Sequence, residues 1–119
     1  KSFVFGHSAQ GLPILGYKFG TQGPRVLVLG GVHGNEVEGT SAAYGLLERF
    51  LNSFPFHLEL TIVPAFNIDG ATSISRLNGN GVDLNRNLPT NDWNPKAFNK
   101  KYPPGPFPNS EPENKALVQ

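Results

Sequence analysis

The sequence predicts an α/β fold. Three short segments rich in Val, Ile and Leu are each bounded by Gly or Pro, which is typical of β-strands. Between the second and the third lies a stretch whose apolar residues recur at helical spacing. Strand, helix and strand in this order form a βαβ unit, with a right-handed crossover if the strands are parallel. A chain of 119 residues fits one domain, residues 1–119.

The three predicted strands span residues 12–19 (LPILGYKF), 25–30 (RVLVLG) and 58–66 (LELTIVPAF). His7 lies in a further strand-like region at the start of the chain. TQGP, residues 21–24, joins the first two of the three strands and predicts a β-hairpin. RVLVLG is apolar without alternation, which predicts a strand covered on both faces.

The predicted helix spans residues 36–54, and its first turn carries the acidic residues Glu36 and Glu38. The motif GGVHGNE, residues 30–36, follows the second predicted strand and leads into this helix. In open α/β sheets ligands bind beyond the carboxyl ends of the strands, so the motif is a candidate site. The apolar residues expected on the buried face of the helix are Val37, Ala43, Leu46, Leu47, Phe50 and Leu51.

The second half of the chain is dominated by Asn, Gly and Pro, and residues 71–108 show almost no periodicity. An irregular stretch of this length in a compact domain is usually functional. SEPE then opens a second helix, with Ser110 as N-cap, Glu113 completing a capping box and Pro112 in the first turn. The chain ends a few residues into that helix, so we expect it to be truncated there.

Composition excludes several classes of protein. The formal net charge is +1 without a basic run, which argues against nucleic acid as a partner. The absence of cysteine excludes disulfides, thiolate zinc ligands and a cysteine nucleophile. No segment has the length of a membrane span or the pattern of a signal peptide, so we expect a soluble protein without a membrane partner. The compartment stays open, with the cytoplasm slightly favoured.

His33 and Glu36 are candidate metal ligands. Zinc binds neutral imidazole and carboxylate groups, and its catalytic sites use three protein ligands and a water molecule. The spacing His-x-x-Glu lets both side chains reach one ion if the intervening loop turns tightly, which Gly34 permits. Taken alone, such a pair is more often structural or solvated.

A second group of polar residues lies in RLNGNGVDLNRNLP, where Arg76, Asp83, Asn85 and Arg86 are close in sequence. Arg presents a planar fork suited to a carboxylate, and Asn adds neutral hydrogen bonds. Taken alone, this segment is more typical of a solvated loop whose Asn and Gly residues form turns.

The motifs together resemble the zinc carboxypeptidase (M14) family, and in particular its bacterial murein peptide amidase-like branch. The shared order is GGVHGNE, NIDG, Arg76 with GVDLNRNLPTNDW, and SEPE, and the opening GHSAQGLPI is similar as well. Ile68 and Leu88 stand where the family usually has Pro and Phe, and we expect little effect of either. The resemblance implies a mixed β-sheet flanked by helices, of which this chain is the N-terminal portion.

The resemblance also implies a site for one zinc ion. His33 and Glu36 match two zinc ligands, and Asp83 matches the residue that orients the ligand histidine. The family's third ligand, a histidine, and its general-base glutamate are expected beyond Gln119. His7 and His57 are expected to be surface or structural residues and not substitutes for that ligand.

The remaining roles concern the substrate. Arg76 matches the arginine that polarises the scissile carbonyl and stabilises the oxyanion. Asn85 and Arg86 match the pair that binds the free carboxylate of the substrate. Glu111 and Glu113 are assigned to the cap of the second helix and not to catalysis.

The implied function is a zinc-dependent metallopeptidase, of carboxypeptidase or murein-peptide amidase type. It would hydrolyse an amide bond next to a free carboxylate in a peptide or cell-wall peptide, although the 119 residues alone are expected to be inactive. One alternative is an N-acyl amino acid deacylase related to aspartoacylase and succinylglutamate desuccinylase. Another is a non-catalytic module that binds carboxylates. An unfinished sheet edge would also favour self-association.

Overall fold

A computed structural model describes residues 1–96 and 102–119 of the chain. The predicted strands and both predicted helices are present, with bounds that differ by a few residues. The elements in chain order are β1 (Ser2–His7), β2 (Pro13–Phe19), β3 (Arg25–Leu29), α1 (Val37–Asn52), β4 (Glu59–Val63), α2 (Ile68–Ser73), a 3-10 turn (Leu84–Arg86) and α3 (Pro112–Val118).

The strands form one mixed sheet in the order β1-β2-β4-β3. β1 and β2 are antiparallel, as are β2 and β4, whereas β3 and β4 are parallel and are connected by α1. The mixed sheet and its βαβ unit are therefore confirmed. The predicted hairpin at residues 21–24 is wrong, because β4 lies between β2 and β3. The connection crosses the start of β4 instead, where Glu59 N donates to Pro24 O at 2.8 Å.

β3 is an edge strand, and the prediction that it is covered on both faces is wrong for the described chain. Val26 and Leu27 are 41% and 44% exposed, and only Val28 and Leu29 pack into apolar clusters. A continuous apolar run identifies a strand but does not say which of its residues are covered. Self-association at this edge stays a prediction.

Two apolar clusters pack against the sheet. The first lies under α1, and its buried members are Ala43, Leu47, Leu60 and Ile62. The second lies on the opposite face, beside α2 and α3, and its buried members are Ile14, Val63, Phe66 and Leu84. Of the residues predicted for the buried face of α1, Val37 and Leu51 are instead 60% and 65% exposed, because they occupy its first and last turns.

α2 was not predicted from the sequence. It spans Ile68–Ser73, and its N-cap residue is Asn67, whose side-chain Oδ1 accepts a hydrogen bond from Gly70 N at 2.9 Å. A helix of this length is too short to show a period in its apolar residues. Apart from α2 and the 3-10 turn, residues 71–96 and 102–108 are irregular, as expected.

α3 confirms the second predicted helix, but its capping box is wrong. Glu111 is the N-cap residue, and no side chain forms a cap bond. Ser110 Oγ donates to Glu111 Oε2 at 2.6 Å, and the buried Glu113 accepts from Ala9 N at 3.1 Å. Tertiary partners thus replace the local ones that the capping box requires. None of the helices in residues 1–96 and 102–119 has the length and apolar character needed to cross a bilayer.

Candidate active site

The loop that follows β3 is held against the segment that follows β4. Gly30 N donates to Val63 O at 2.8 Å, Phe66 N donates to Gly30 O at 2.9 Å, and Asn67 N donates to Gly31 O at 2.9 Å. Gly34 lies so close to the backbone of α2 that any side chain would collide with it. The loop is therefore fixed on both sides, and His33 emerges from it at the carboxyl end of the parallel strands.

Both ring nitrogens of His33 face carboxylates. Its Nε2 lies 2.9 Å from Oδ1 of the fully buried Asp83, and its Nδ1 lies 3.3 Å from Oε2 of Glu36. An ionised carboxylate can only accept, so the bond to Asp83 places the hydrogen of a neutral ring on Nε2. Nδ1 then carries the free lone pair, which is the form that binds a metal.

The pair of donor atoms fits zinc. A tetrahedral zinc ion with bonds of about 2.0–2.2 Å holds two donors about 3.3–3.6 Å apart, and His33 Nδ1 and Glu36 Oε2 are 3.3 Å apart. Imidazole nitrogen and carboxylate oxygen are also the ligand types that zinc prefers. Within residues 1–96 and 102–119, no group of three or more His, Cys, Asp or Glu side chains is placed to hold a metal. The described residues therefore offer one pair of donor atoms at a spacing suited to zinc, and His33 and Glu36 as zinc ligands stay a prediction.

Arg76 lies beside the same carboxylates. Its Nε donates to Asp83 Oδ2 at 2.9 Å, and its Nη1 lies 3.5 Å from Glu36 Oε2. Asp83 thus bridges Arg76 and His33, one on each oxygen, and its Oδ1 also accepts from Asn85 N at 3.0 Å. The structure brings four of the predicted site residues into one continuous set of contacts.

Asn85 and Arg86 occupy the 3-10 turn directly after Asp83 and are exposed. Both line a groove of about 500 Å³, together with Trp93 and Tyr102. An exposed guanidinium at the edge of an open groove can form a bidentate pair with an incoming carboxylate. Asn85 and Arg86 therefore follow Asp83, which contacts His33, but they line a groove that His33 and Glu36 do not line.

Tyr102 is a site residue that sequence reasoning missed. Its ring lies 4.7 Å from the guanidinium carbon of Arg76 and 5.3 Å from that of Arg86. It therefore contacts both cations by cation–π interaction. No local pattern marks Tyr102, because it lies in a Pro-rich connection far from both arginines in sequence. His7 and His57 are exposed, and His57 precedes β4, at the opposite end of the sheet from His33.

The sequence matches the zinc carboxypeptidase family over residues 1–119. The chain belongs to this family. Murein peptide amidase A of Escherichia coli K12 is 35% identical over 104 residues, which cover 78% of this chain and 42% of that protein. The chain therefore spans less than half the length of this curated relative.

Solved structures agree with the family. Murein-tripeptide amidase from Escherichia coli O157 superposes with a TM-score of 0.73 and 27% identity, over 99% of this chain and 54% of that one. Bovine thrombin-activatable fibrinolysis inhibitor superposes with a TM-score of 0.85 and 22% identity, over 99% of this chain and 47% of that one. A succinylglutamate desuccinylase/aspartoacylase from Rhodobacter sphaeroides gives a TM-score of 0.61 and 25% identity, over 91% and 29%. The mixed sheet with its helices is thus a zinc carboxypeptidase fold.

Proposed function

We propose that the protein is a zinc-dependent amidase or carboxypeptidase that cleaves the amide bond next to a free carboxylate of a peptide. In this proposal His33 and Glu36 are zinc ligands, and Asp83 orients His33. Arg76 stabilises the oxyanion, and Asn85 with Arg86 binds the substrate carboxylate. The single observation that carries the proposal is the distance of 3.3 Å between His33 Nδ1 and Glu36 Oε2, with Nε2 of the same ring held by Asp83.

The chemistry divides between the metal and this chain. When zinc is bound, it lowers the pKa of a water molecule and polarises the scissile carbonyl. Asp83 holds the His33 ring in one tautomer and one orientation. Arg76 keeps its Nε on Asp83 and presents the other end of its guanidinium, whose Nη1 can turn from Glu36 towards a developing oxyanion.

Substrate positioning falls to the groove beside Arg86. A carboxylate bound by Arg86 and Asn85 fixes one end of the substrate, so that its amide lies next to Arg76. Tyr102 contacts both arginines and so separates the carboxylate position from the oxyanion position. The similarity to murein peptide amidases favours a bacterial cell-wall peptide as the substrate class. The described residues supply two zinc ligands, so we expect residues 1–119 alone to be inactive.

The metal assignment is tested by zinc calorimetry of the full-length protein after chelation. We expect one high-affinity site that is lost, by at least about a hundredfold in affinity, in His33→Ala. His57→Ala is the matched control, because it removes an exposed histidine at the other end of the sheet. Unchanged affinity in His33→Ala, or an equal loss in His57→Ala, would refute the assignment.

The carboxylate assignment is tested by steady-state kinetics with a peptide and its C-terminally amidated form. Arg86→Ala is expected to raise KM about tenfold or more for the free carboxylate and to leave the amidated peptide unaffected. Arg25→Ala, which removes an exposed arginine paired with Glu59, is the control. Peptide binding that persists in a chelator, without hydrolysis, would indicate a carboxylate-binding module instead.

The deacylase alternative is supported by the likeness to the Rhodobacter enzyme, which is weaker than the likeness to the murein-tripeptide amidase. The two functions predict different substrates at the same metal. Cleavage of N-succinyl or N-acetyl amino acids at a higher kcat/KM than any peptide would favour the deacylase. Preference for a peptide with a free carboxylate would exclude it.

A further inference from the structure

Asn78 closes the loop between Arg76 and Asp83. Its backbone N donates to Val82 O at 2.9 Å, and its Oδ1 accepts from Asn80 N and from Val82 N, both at 3.0 Å. These bonds fold residues 78–82 back on themselves, so that the residues just outside the loop come together. Leu77 and Asp83 flank the loop, and the side chain of Arg76, one residue before Leu77, meets that of Asp83 at 2.9 Å.

The same side chain also fastens the loop to α3. Asn78 Nδ2 donates to Glu111 Oε1 at 2.8 Å and to Glu113 Oε1 at 3.1 Å. Asn78 is 6% exposed, Glu111 is 3% exposed and Glu113 is fully buried. A single amide thus uses its oxygen to close the loop and its nitrogen to dock it.

Each oxygen of the two carboxylates already has a partner within the protein. Glu111 Oε1 accepts from Asn80 Nδ2 as well as from Asn78, and its Oε2 accepts from Ser110 Oγ. Glu113 Oε2 accepts from Ala9 N, in the turn between β1 and β2. Every carboxylate oxygen of the pair is therefore bonded within the protein, which fits a role in holding the loop better than a role as a cation site.

The two carboxyl groups differ in their electrostatic setting. Burial raises the pKa of Glu111, but its three side-chain hydrogen bonds and the ammonium of Lys115 outweigh burial and bring the pKa below its ordinary value. Burial, with a smaller contribution from the charge of Asp69, raises the pKa of Glu113 above its ordinary value. Glu111 is thus the stronger charged partner of Asn78, and Glu113 links Asn78 to the β1–β2 turn.

We propose that Asn78, docked on Glu111 and Glu113, is a positioning residue that sets the placement of Arg76 and Asp83. This inference rests on the proposed function, in which Arg76 acts on the oxyanion and Asp83 orients a zinc ligand. Asn67 supports the loop from the other side, since its Nδ2 donates to Leu77 O at 3.1 Å. A shift of about 1 Å in such groups costs about a hundredfold in rate, so a residue that fixes the loop acts on catalysis through them.

The test is a double-mutant cycle in the full-length zinc enzyme, with Asn78→Ala and Arg76→Lys. Asn78→Ala is expected to lower kcat about 10- to 100-fold and to change KM less than about twofold, because the carboxylate groove lies outside the loop. In the Arg76→Lys background the same change is expected to cost less than about threefold. A loss that is equal in both backgrounds would mean that Asn78 does not act through Arg76 and would overturn the proposal that it positions Arg76 and Asp83 together.

Asn80→Ala is the matched control, because Asn80 donates to the same Glu111 Oε1 at 3.0 Å but its side chain does not close the loop. We expect it to lower kcat less than about threefold. If Asn78→Ala does not fold, Glu113→Gln takes its place in the cycle, since it keeps the shape of the side chain but replaces one of its two acceptor oxygens with an NH2 donor.

A crystal structure of Asn78→Ala provides a readout that is independent of activity. The Arg76 Nε to Asp83 Oδ2 distance, 2.9 Å in the native protein, is expected to exceed hydrogen-bond range in the variant. An unchanged distance would overturn the proposal even if activity fell. Absence of zinc-dependent hydrolysis in the native protein would refute the proposed function but leave this structural test in force.

Discussion

Two regions of this molecule are equally well buried but are held together by different forces. The sheet and α1 enclose apolar side chains, such as Leu47, Leu60 and Ile62. The region that carries the site encloses amides and carboxylates, and its buried members include Asn67, Asp69, Asn78, Asp83, Asn87, Glu111, Glu113 and Asn114. Among the described residues, Asn109 Oδ1 alone is a buried side-chain polar atom without a partner.

The two kinds of packing differ in how precisely they fix the positions of side chains. Apolar contacts are non-directional and tolerate exchanges of similar volume. Hydrogen bonds depend on distance and angle, and a buried donor that loses its acceptor costs far more than the bond contributed. The polar region therefore fixes the positions of its side chains more narrowly than the apolar region does, and it is more sensitive to substitution.

The largest expected effect is in the polar region, at Asn87. Its Nδ2, which has two hydrogens to donate, lies 2.9–3.1 Å from three acceptors, Pro104 O, Phe107 O and Ser110 Oγ. Its Oδ1 accepts from Glu111 N and Asn114 Nδ2. Asn87→Leu should lower the free energy of unfolding by about 3–5 kcal/mol, because several buried partners lose their bonds at once.

Urea denaturation of the full-length protein measures this loss. Asn91→Leu, at an exposed position in the same segment, is the control and should change stability by less than about 0.5 kcal/mol. A loss below about 1 kcal/mol for Asn87→Leu would show that the hydrogen bonds of Asn87 do not hold the polar region together.

How much the sequence could predict follows the same division. The βαβ unit was predictable because its apolar residues have a period, and the candidate site at its end was proposed from the rule for strand ends. Glu113 was misassigned because a capping box and a buried tertiary carboxylate have the same local sequence. The bonds from Asn78 to α3 join residues more than thirty positions apart, and no local pattern encodes such a pairing.

A smaller effect on stability is expected in the apolar region, at Leu47, a residue of α1 that is 6% exposed. Leu47→Ala should cost about 2–4 kcal/mol by leaving a cavity, whereas Leu47→Met should cost less than about 1.5 kcal/mol.

The isosteric change Asn87→Asp should cost more than Leu47→Met, because it turns donors into acceptors. Leu51→Ala, at an exposed position of the same helix, is the control for both in thermal unfolding. If Asn87→Asp is tolerated as well as Leu47→Met, the two regions do not differ as argued.

The pH dependence of stability is expected to differ between Glu111 and Glu113, the two carboxylates of the polar region that Asn78 contacts. The pKa of Glu113 is raised on folding, so its contribution to stability is present below the ordinary glutamate pKa of about 4.3 and is lost as pH rises through its folded pKa. The pKa of Glu111 is lowered, so its contribution is present above about pH 4.3 and is lost as pH falls through its folded pKa. Burial is the largest influence on both groups, with Asp69 raising the pKa of Glu113 and Lys115 lowering that of Glu111.

Unfolding free energies of Glu111→Gln and Glu113→Gln, each measured against the native protein at acid and neutral pH, test these opposite signs. Glu111→Gln should cost more at neutral pH than at acid pH, and Glu113→Gln should cost more at acid pH. Glu38→Gln, in the exposed first turn of α1, controls for the general effect of removing a carboxylate. Equal dependence on pH in the two buried variants would contradict the assignment.

The smallest expected effect is a gain in stability, at the end of α2, two residues before Arg76. Ile74 ends α2 with φ of 54°, in the left-handed region, and its side chain is 76% exposed. A β-branched residue is strained there by about 1–2 kcal/mol and contributes little packing in return. Ile74→Gly should therefore raise the free energy of unfolding by up to about 1 kcal/mol, after the greater entropy of an unfolded glycine is subtracted.

The control is Ile74→Ala, which keeps the left-handed strain and should give no comparable gain. If both variants stabilise equally, the gain comes from removing an exposed apolar side chain and not from the backbone. Because Ile74 lies two residues before Arg76, kcat of Ile74→Gly will also show whether relief of this strain moves the loop that Asn78 holds.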